Sequence, residues 1–141
     1  MAKAHCRESG CPIAFTLDLI GDKWSLLIIR DMVFHGKRSY GAFLESPEKI
    51  ATNILADRLA RLEATGIVAK ALDPAHKKKF VYTLTSKGLD LVPMVLEIVL
   101  WGAKYDPNTA APKPFIRKLK QDRGALIREL LAALKGTIQH T

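Results

Sequence analysis

Between Ala51 and Gly66 the chain reads ATNILADRLARLEATG, and the polar residues in this stretch have hydrogen-bonding chemistry suited to base edges. The amide of Asn53 can form paired hydrogen bonds with adenine, and the guanidinium of Arg58 or Arg61 can do the same with guanine. Asp57 can accept from a cytosine amine, but it can also hold Arg61 four residues on, and the ion pair is the expected role. Ala56 and Ala60 keep the same face short. Thr52, and upstream Ser39 and Tyr40, stand at expected helix starts, where hydroxyls and backbone amides can meet phosphates. Lys77, Lys78 and Lys79 form a cationic run in DPAHKKK. Such a run is ordinarily a solvated turn; beside a base-reading helix, phosphate or minor-groove contact is the better reading.

Thiol chemistry rests on two cysteines, Cys6 and Cys11, both near the N-terminus. A thiol at a helix start has its thiolate favoured by the dipole and by nearby bases, for which Lys23 and Arg7 are candidates. The plainer alternative is a small packed hydrophobe. His5, Cys6 and Cys11 lack a fourth ligand and a recognised spacing, so no metal is expected. There is no glycine-rich phosphate loop, nucleophile elbow or HExxH, and His35, His76 and His140 have no partnered carboxylates. No catalytic residue and no cofactor is expected, and the chain does not read as an enzyme.

The elements that must place these groups follow from periodicity. Leu55, Leu59 and Leu62 give the Ala51–Gly66 helix one apolar stripe, leaving its outer face polar and small except for Ile54. An ordinary amphipathic surface helix has the same pattern. What separates the two readings is the sequel, in which IVAKAL and FVYTLT bracket the basic turn as a hairpin. Upstream, Ile13 to Ile20 reads as a short helix ended by Gly21, and Asp22 caps a second, Lys23 to about Met32. That second helix, with Trp24, Leu27, Ile28 and Met32 on its stripe, is apolar enough to be central to the core. Ser39 caps a short third, Tyr40 to Leu44, and Pro47 breaks the chain before the base-reading helix. Short helix, turn and longer helix make a helix-turn-helix, and the hairpin adds a wing.

Thr85 caps a long helix from Ser86 to about Tyr105, with a kink or break at Pro93. Its face of Leu89, Val92, Val95, Leu96, Val99 and Leu100 is wider than a small domain needs, which points to subunit association. Trp24, Trp101 and Tyr105 can line a cavity for a small apolar effector, although aromatics at helical spacing are usually core. Residues 106–114 read as a proline-rich linker, and Phe115 to Lys135 as a basic C-terminal helix. The expected organisation is an arm over 1–12, a domain over 13–105 with a long dimerisation helix, and a linker and helical extension over 106–141. The expected fold class is mainly α with a small β-hairpin wing, a dimeric winged helix-turn-helix with an additional C-terminal helix.

With 141 residues, 48% hydrophobic and 26% charged, the chain is ordinary for one globular domain. Its 22 basic and 14 acidic residues leave a net charge of +8, which favours a polyanionic partner. Sparse cysteines, no apolar run of membrane-spanning length and no signal-peptide pattern lead to an expectation of a cytoplasmic protein without a membrane partner.

CPIAFTLDLIGDKWSLLIIRDM, TNILADRLARLEATGIV, YTLTSKG and the Trp101–Gly102 pair occur in an order and spacing that resemble the HxlR-type winged helix-turn-helix regulators of bacteria, relatives of the MarR group. The resemblance spans roughly Cys11 to Tyr105 and fades beyond Pro107. It implies a homodimeric transcription regulator bound to double-stranded DNA. It also implies a thiol-reactive or oxidising effector, because Cys11 stands at the family's Cys-Pro position before the first helix. The alternative from the residues alone is a winged helix that binds nucleic acid without sequence choice, or one that responds to a small ligand.

Overall fold

The computed structural model describes residues 9–139, with side chains through residue 135. The chain forms two compact units, one running to Thr83 and the other starting at Leu84. In the first unit, α1 (Pro12–Ile20), α2 (Lys23–His35), α3 (Tyr40–Leu44) and α4 (Thr52–Ala64) precede β1 (Val68–Asp73) and β2 (His76–Leu84). The two strands form an antiparallel hairpin. Beyond it lie α5 (Ser86–Leu89), α6 (Val92–Tyr105), α7 (Lys113–Gln121) and α8 (Arg123–Gln139).

Each boundary in the first unit has a local cause. Proline occupies the first turn of α1, where a missing N–H costs nothing. Gly21 follows α1 with ordinary right-handed dihedrals, but a Cβ there would lie 2.4 Å from the Leu17 carbonyl oxygen. Close approach, not backbone handedness, is therefore what requires glycine. Asp22 caps α2 by accepting the Ser25 amide at 3.0 Å. The helix runs on to His35, a turn past the expected Met32, and is buried at Ser25, Ile28, Ile29, Asp31, Met32 and Val33. Its central place in the core matches the expectation from its apolarity. Ser39 caps α3 through the Ala42 amide at 3.2 Å.

A left-handed glycine closes α4. Gly66 has φ 79°, its N–H donates to Glu63, and the Ile67 N–H reaches back to Leu62 at 2.9 Å. This is a Schellman stop, with Leu62 and Ile67 both buried beneath it. The hairpin is then anchored to the helices at its base. Tyr82 donates its amide to the Arg38 carbonyl at 2.8 Å, and its ring meets Phe43 of α3 edge-on at 6.4 Å.

In the second unit the long helix takes the break expected at Pro93, dividing into α5 and α6, with Pro93 in the first turn of α6, where proline starts a new helix. The single C-terminal helix expected from Phe115 to Lys135 is two, α7 and α8, separated at Asp122. Asp122 takes a non-helical conformation and accepts the Ala125 amide at 3.1 Å, capping the second helix. The face expected to be left over on the long helix is largely filled within the chain, with Leu89, Val92, Val95 and Leu96 buried. Among the described residues of α6, the large apolar side chains exposed are Ile98, Trp101 and Tyr105.

Candidate nucleic-acid interface

The stripe on α4 is dry: Leu55, Leu59 and Leu62 are 0%, 2% and 1% exposed. Burying three leucines contributes on the order of 1.5–3 kcal/mol each and fixes which face looks out. That outer face carries Thr52, Asn53, Ala56, Asp57 and Ala60, all exposed, with Arg58 and Arg61 half-buried on its flanks. Ala51, the cap residue, makes no side-chain hydrogen bond, so the first amides of α4 are left for another acceptor.

Arg58 and Arg61 differ in how far they are already engaged. The Arg58 Nε donates to Asp22 Oδ2 at 2.8 Å and its Nη1 to Asp57 Oδ2 at 2.5 Å. Arg61 approaches Asp57 only to 3.9 Å. The expected Asp57–Arg61 pair is thus the longer of the two that Asp57 makes. The neighbouring Arg58 takes the short contact because its guanidinium is already held from behind by Asp22. Burial pushes the Asp22 carboxyl up, but the hydrogen bonds from Ser25 and Arg58 outweigh it and leave the pKa below the usual carboxylate value. The Arg58 pKa is raised, first by its bond to Asp22 and further by Asp57, with burial opposing.

Tyr40 and Thr52 are brought together, with the tyrosine hydroxyl donating to the Thr52 carbonyl at 2.9 Å. Ser39 is committed as acceptor to its cap and keeps its hydroxyl hydrogen. In the wing, the turn is confined to Pro74 and Ala75, with Asp73 Oδ1 accepting the Ala75 amide at 2.9 Å. Lys77, Lys78 and Lys79 therefore lie in β2, exposed, and not in the turn as expected. The tight Asp-Pro turn is the reason, since it returns the chain to pairing by His76. Next to them Lys70 Nζ sits 4.1 Å from the Phe80 ring centroid, a cation–π contact on the wing that the period-2 signal did not reveal.

Between α2 and the turn that precedes α4 lies an ionic cluster that sequence reasoning missed. Asp31 is 3% exposed and accepts from Arg30 Nε at 2.9 Å and from the Ser46 hydroxyl. Ser46 in turn accepts from Lys37 Nζ at 2.9 Å, and Arg30 forks onto Glu48 at 2.6 and 2.9 Å. The hydrogen bond from Arg30 pulls the Glu48 pKa to about 2. These contacts fasten α2 to the turn between α3 and α4, where Lys49 holds φ 57°. The turn thus has a fixed shape despite a positive φ at a non-glycine residue. The available signal was Asp31 itself, an acid at helical spacing from Trp24 and Ile28 on the buried stripe. Trp24 joins Asp31, Phe43, Ser46 and Ile50 around a small cleft. Trp101 and Tyr105 are exposed, with ring centroids 5.0 Å apart.

Cys11 caps α1 without a side-chain hydrogen bond, and its thiol is free and exposed. The ammonium of Lys23, offered as its basic neighbour, lies 4.9 Å from the Trp24 ring. Cys6, His5 and Arg7 lie outside the described residues. Among the described residues, no group of His, Cys, Asp or Glu is arranged to hold a metal ion, and no helix is long and apolar enough to cross a membrane.

A short helix, a fixed turn, a polar-faced helix and a lysine-edged hairpin together define a winged helix-turn-helix, the scaffold of transcription regulators. Residues 19–110 match the family described as HxlR-like helix-turn-helix, and the chain belongs to that family. It is 37% identical over 95 residues to the HTH-type transcriptional regulator YybR of Bacillus subtilis, covering 67% of this chain and 75% of that one. To the regulator sll1512 of Synechocystis it is 32% identical over 102 residues, covering 71% and 75%.

Among solved structures it is similar to PA1607, a candidate transcription factor, with TM-score 0.68 and 38% identity over 78% of this chain and 76% of that one. The redox regulator HypR in its oxidised form superposes with TM-score 0.59 and 35% identity, over 67% of this chain and 96% of its own. Reduced YodB from B. subtilis gives TM-score 0.56 and 30% identity, over 70% and 97%. The protein is a transcriptional regulator of the HTH type and not an enzyme.

Proposed function

We propose that the chain is a sequence-specific, homodimeric DNA-binding regulator that reads a pseudo-palindrome with α4 and responds to oxidants or electrophiles through Cys11. The observation that carries the DNA reading is the outer face of α4. Asn53, Ala56, Asp57 and Ala60 are exposed over a stripe of leucines that is fully buried. A face of short side chains with one amide donor–acceptor can approach base edges closely. On this reading Asn53 and Arg61 contact bases. Thr52, Ser39 and Tyr40 contact phosphates at the entry to the helix, as do Lys77, Lys78 and Lys79 along the wing. Arg58, held between Asp22 and Asp57, reaches a base only with the guanidinium edge those bonds leave free.

Dimerisation is supported by two exposed apolar faces. On α1, Ile13 and Leu17 are 69% and 57% exposed; on α6, Trp101 and Tyr105 are 69% and 61%. A homodimer that reads successive major grooves would hold its two recognition helices about 34–36 Å apart. The arm over residues 1–12 and the extension over 106–141 then flank a reading domain over 13–105. The redox reading is supported by the exposed Cys11 thiol at the start of α1 and by similarity to HypR, solved in oxidised and reduced forms, and to YodB, solved reduced and diamide-treated.

Selection from a random-sequence duplex pool tests the first part. A symmetric consensus is expected, bound by a dimer in sedimentation, and equal affinity for unrelated duplex would leave only sequence-independent binding. Diamide treatment of wild type, Cys11→Ser and Cys6→Ser tests the second. Loss or gain of DNA binding in wild type and in Cys6→Ser, absent in Cys11→Ser, is expected. Identical responses of wild type and Cys11→Ser would reduce Cys11 to an ordinary thiol.

A further inference from the structure

The segment carrying α7 lies beyond the family match, which ends at residue 110, and the HypR alignment spans 96% of that chain with only 67% of this one. From Lys113 to Lys135 seven basic residues face two acidic ones, Asp122 and Glu129. Several of these charges have partners. Lys118 Nζ binds Glu129 at 2.5 Å, and Arg123 binds Glu97 at 2.8 Å. Lys113, Arg117 and Lys120 of α7, like Arg128 and Lys135 of α8, are exposed and in none of the ion pairs found among the described residues. The three of α7 stand at i, i+4 and i+7, one side of the helix, rising by about 6 Å and then about 4.5 Å along its axis.

This stripe works against the helix that carries it. Like charges four apart repel, and Lys113 puts a positive charge in a first turn that has no acidic residue to balance the dipole. The opposite side of α7 is committed to the interior of its own unit, with Leu119 1% exposed and Phe115 and Ile116 half-buried. We infer that the Lys113–Arg117–Lys120 stripe of α7 is a second nucleic-acid contact, gripping DNA phosphates without reading bases. The inference rests on the reading of the chain as a DNA binder.

The chemistry selects this occupant over others. A helix that lies on a membrane needs its apolar side free to enter the acyl region, and that side of α7 is already used. A protein partner needs desolvated aromatic or apolar anchors, and the stripe has none between its cations. A phosphate backbone needs only positive charge and donors, which three separated cations supply. The base-reading elements all precede residue 85, so contacts from α7 add affinity and salt dependence but no sequence preference.

The test compares wild type, the combined Lys113→Gln/Arg117→Gln/Lys120→Gln variant, and a Lys113→Arg/Lys120→Arg variant. Each is titrated in KCl against a long duplex selected by wild type from a random pool, and against an unrelated duplex of the same length. Three phosphate contacts set a slope change of about 2–3 in log K against log salt for each bound protomer. The glutamine variant is expected to lose that much slope on both duplexes with its ratio of affinities unchanged, and the arginine variant to keep the wild-type slope. An unchanged slope in the glutamine variant, with native circular dichroism, would overturn the inference. So would vesicles of phosphatidylserine that bind wild type but not the glutamine variant, when the DNA slope stays the same. Asn53→Ala separates the two levels, since loss of preference with the slope intact belongs to α4 alone. Wild type that binds both duplexes equally would overturn the sequence-specific reading and leave the stripe standing. Wild type that binds neither would overturn both.

Discussion

Asp22 holds two helices with one oxygen. Its Oδ2 accepts the Ser25 amide at 3.0 Å, closing the start of α2, and the Arg58 Nε at 2.8 Å, tying that start to α4. Replacement by alanine removes both, and replacement by asparagine keeps the cap while removing the charge. Losing an N-cap costs about 1 kcal/mol. The ion pair is partly exposed, 22% for Arg58 and 29% for Asp22, and such a pair contributes about 0.2–1 kcal/mol. Asp22→Ala is therefore expected to cost about 1–2 kcal/mol of unfolding free energy, and Asp22→Asn only the pair's share of about 0.2–1 kcal/mol, since asparagine caps as well as aspartate.

The pH dependence has a definite sign. The folded pKa of Asp22 lies below its ordinary value of 3.8, so its contribution is fully present above that value and is lost as pH falls through the folded pKa. Urea unfolding followed by circular dichroism at neutral pH, and again at steps between pH 5 and pH 3, gives both quantities. Equal destabilisation by alanine and asparagine would show that the charge and not the cap carries the effect. No destabilisation by alanine would refute the assignment of Asp22 as a joint between α2 and α4.

Asn53→Ala is expected to lower specific affinity by about 1–3 kcal/mol and relax one position in each half-site, whereas Lys78→Ala weakens binding to all duplexes alike; anisotropy against matched and mismatched sites separates them. Glu48 has its pKa lowered to about 2 by Arg30, so its stabilisation is present above the ordinary value of 4.5 and lost as pH falls toward 2. Glu48→Gln should flatten the acid limb of the stability profile over that window, and a parallel limb would count against the Arg30–Glu48 fork. Trp101→Ser should raise the dimer dissociation constant in sedimentation without lowering the unfolding free energy of the monomer, because the ring is exposed within one chain.

Much of the first unit was legible because its signals are local. Asp22, Ser39 and Gly66 are punctuation that works within four residues, and the leucines of α4 are a clean period, so the helices came out in place. The errors arise where a longer-range partner or a competing cap decides. Lys77, Lys78 and Lys79 read as a turn by composition, but Asp73 and Pro74 close the chain so sharply that the lysines are paired as strand. Asp122 lies inside an apolar period that reads as one helix, yet its side chain captures the Ala125 amide and divides it. Asp31 was hidden for another reason, as its value depends on Ser46, fifteen residues away in a turn that periodicity does not describe.

The same distinction separates the residues that hold the reading helix from those left to read. A residue type suited to a base contact is also suited to a structural ion pair, and sequence cannot distinguish them. Arg58 and Arg61 read alike, three residues apart on one helix. In the folded chain the first is bonded to two carboxylates and the second approaches one only at 3.9 Å. Tyr40 likewise gives its hydroxyl hydrogen to the Thr52 carbonyl, which fixes the entry to α4 before any phosphate arrives. Pre-engaged side chains reduce the ordering that binding must impose on the helix, while Asn53 and the alanines keep the surface open. Arg58→Lys should therefore disturb the placement of α4 as much as its contacts, because an ammonium cannot bridge Asp22 and Asp57 with the same fork. If Arg58→Lys retains wild-type stability but loses preference at one base position, Arg58 is a reader and its two carboxylates are only its resting partners.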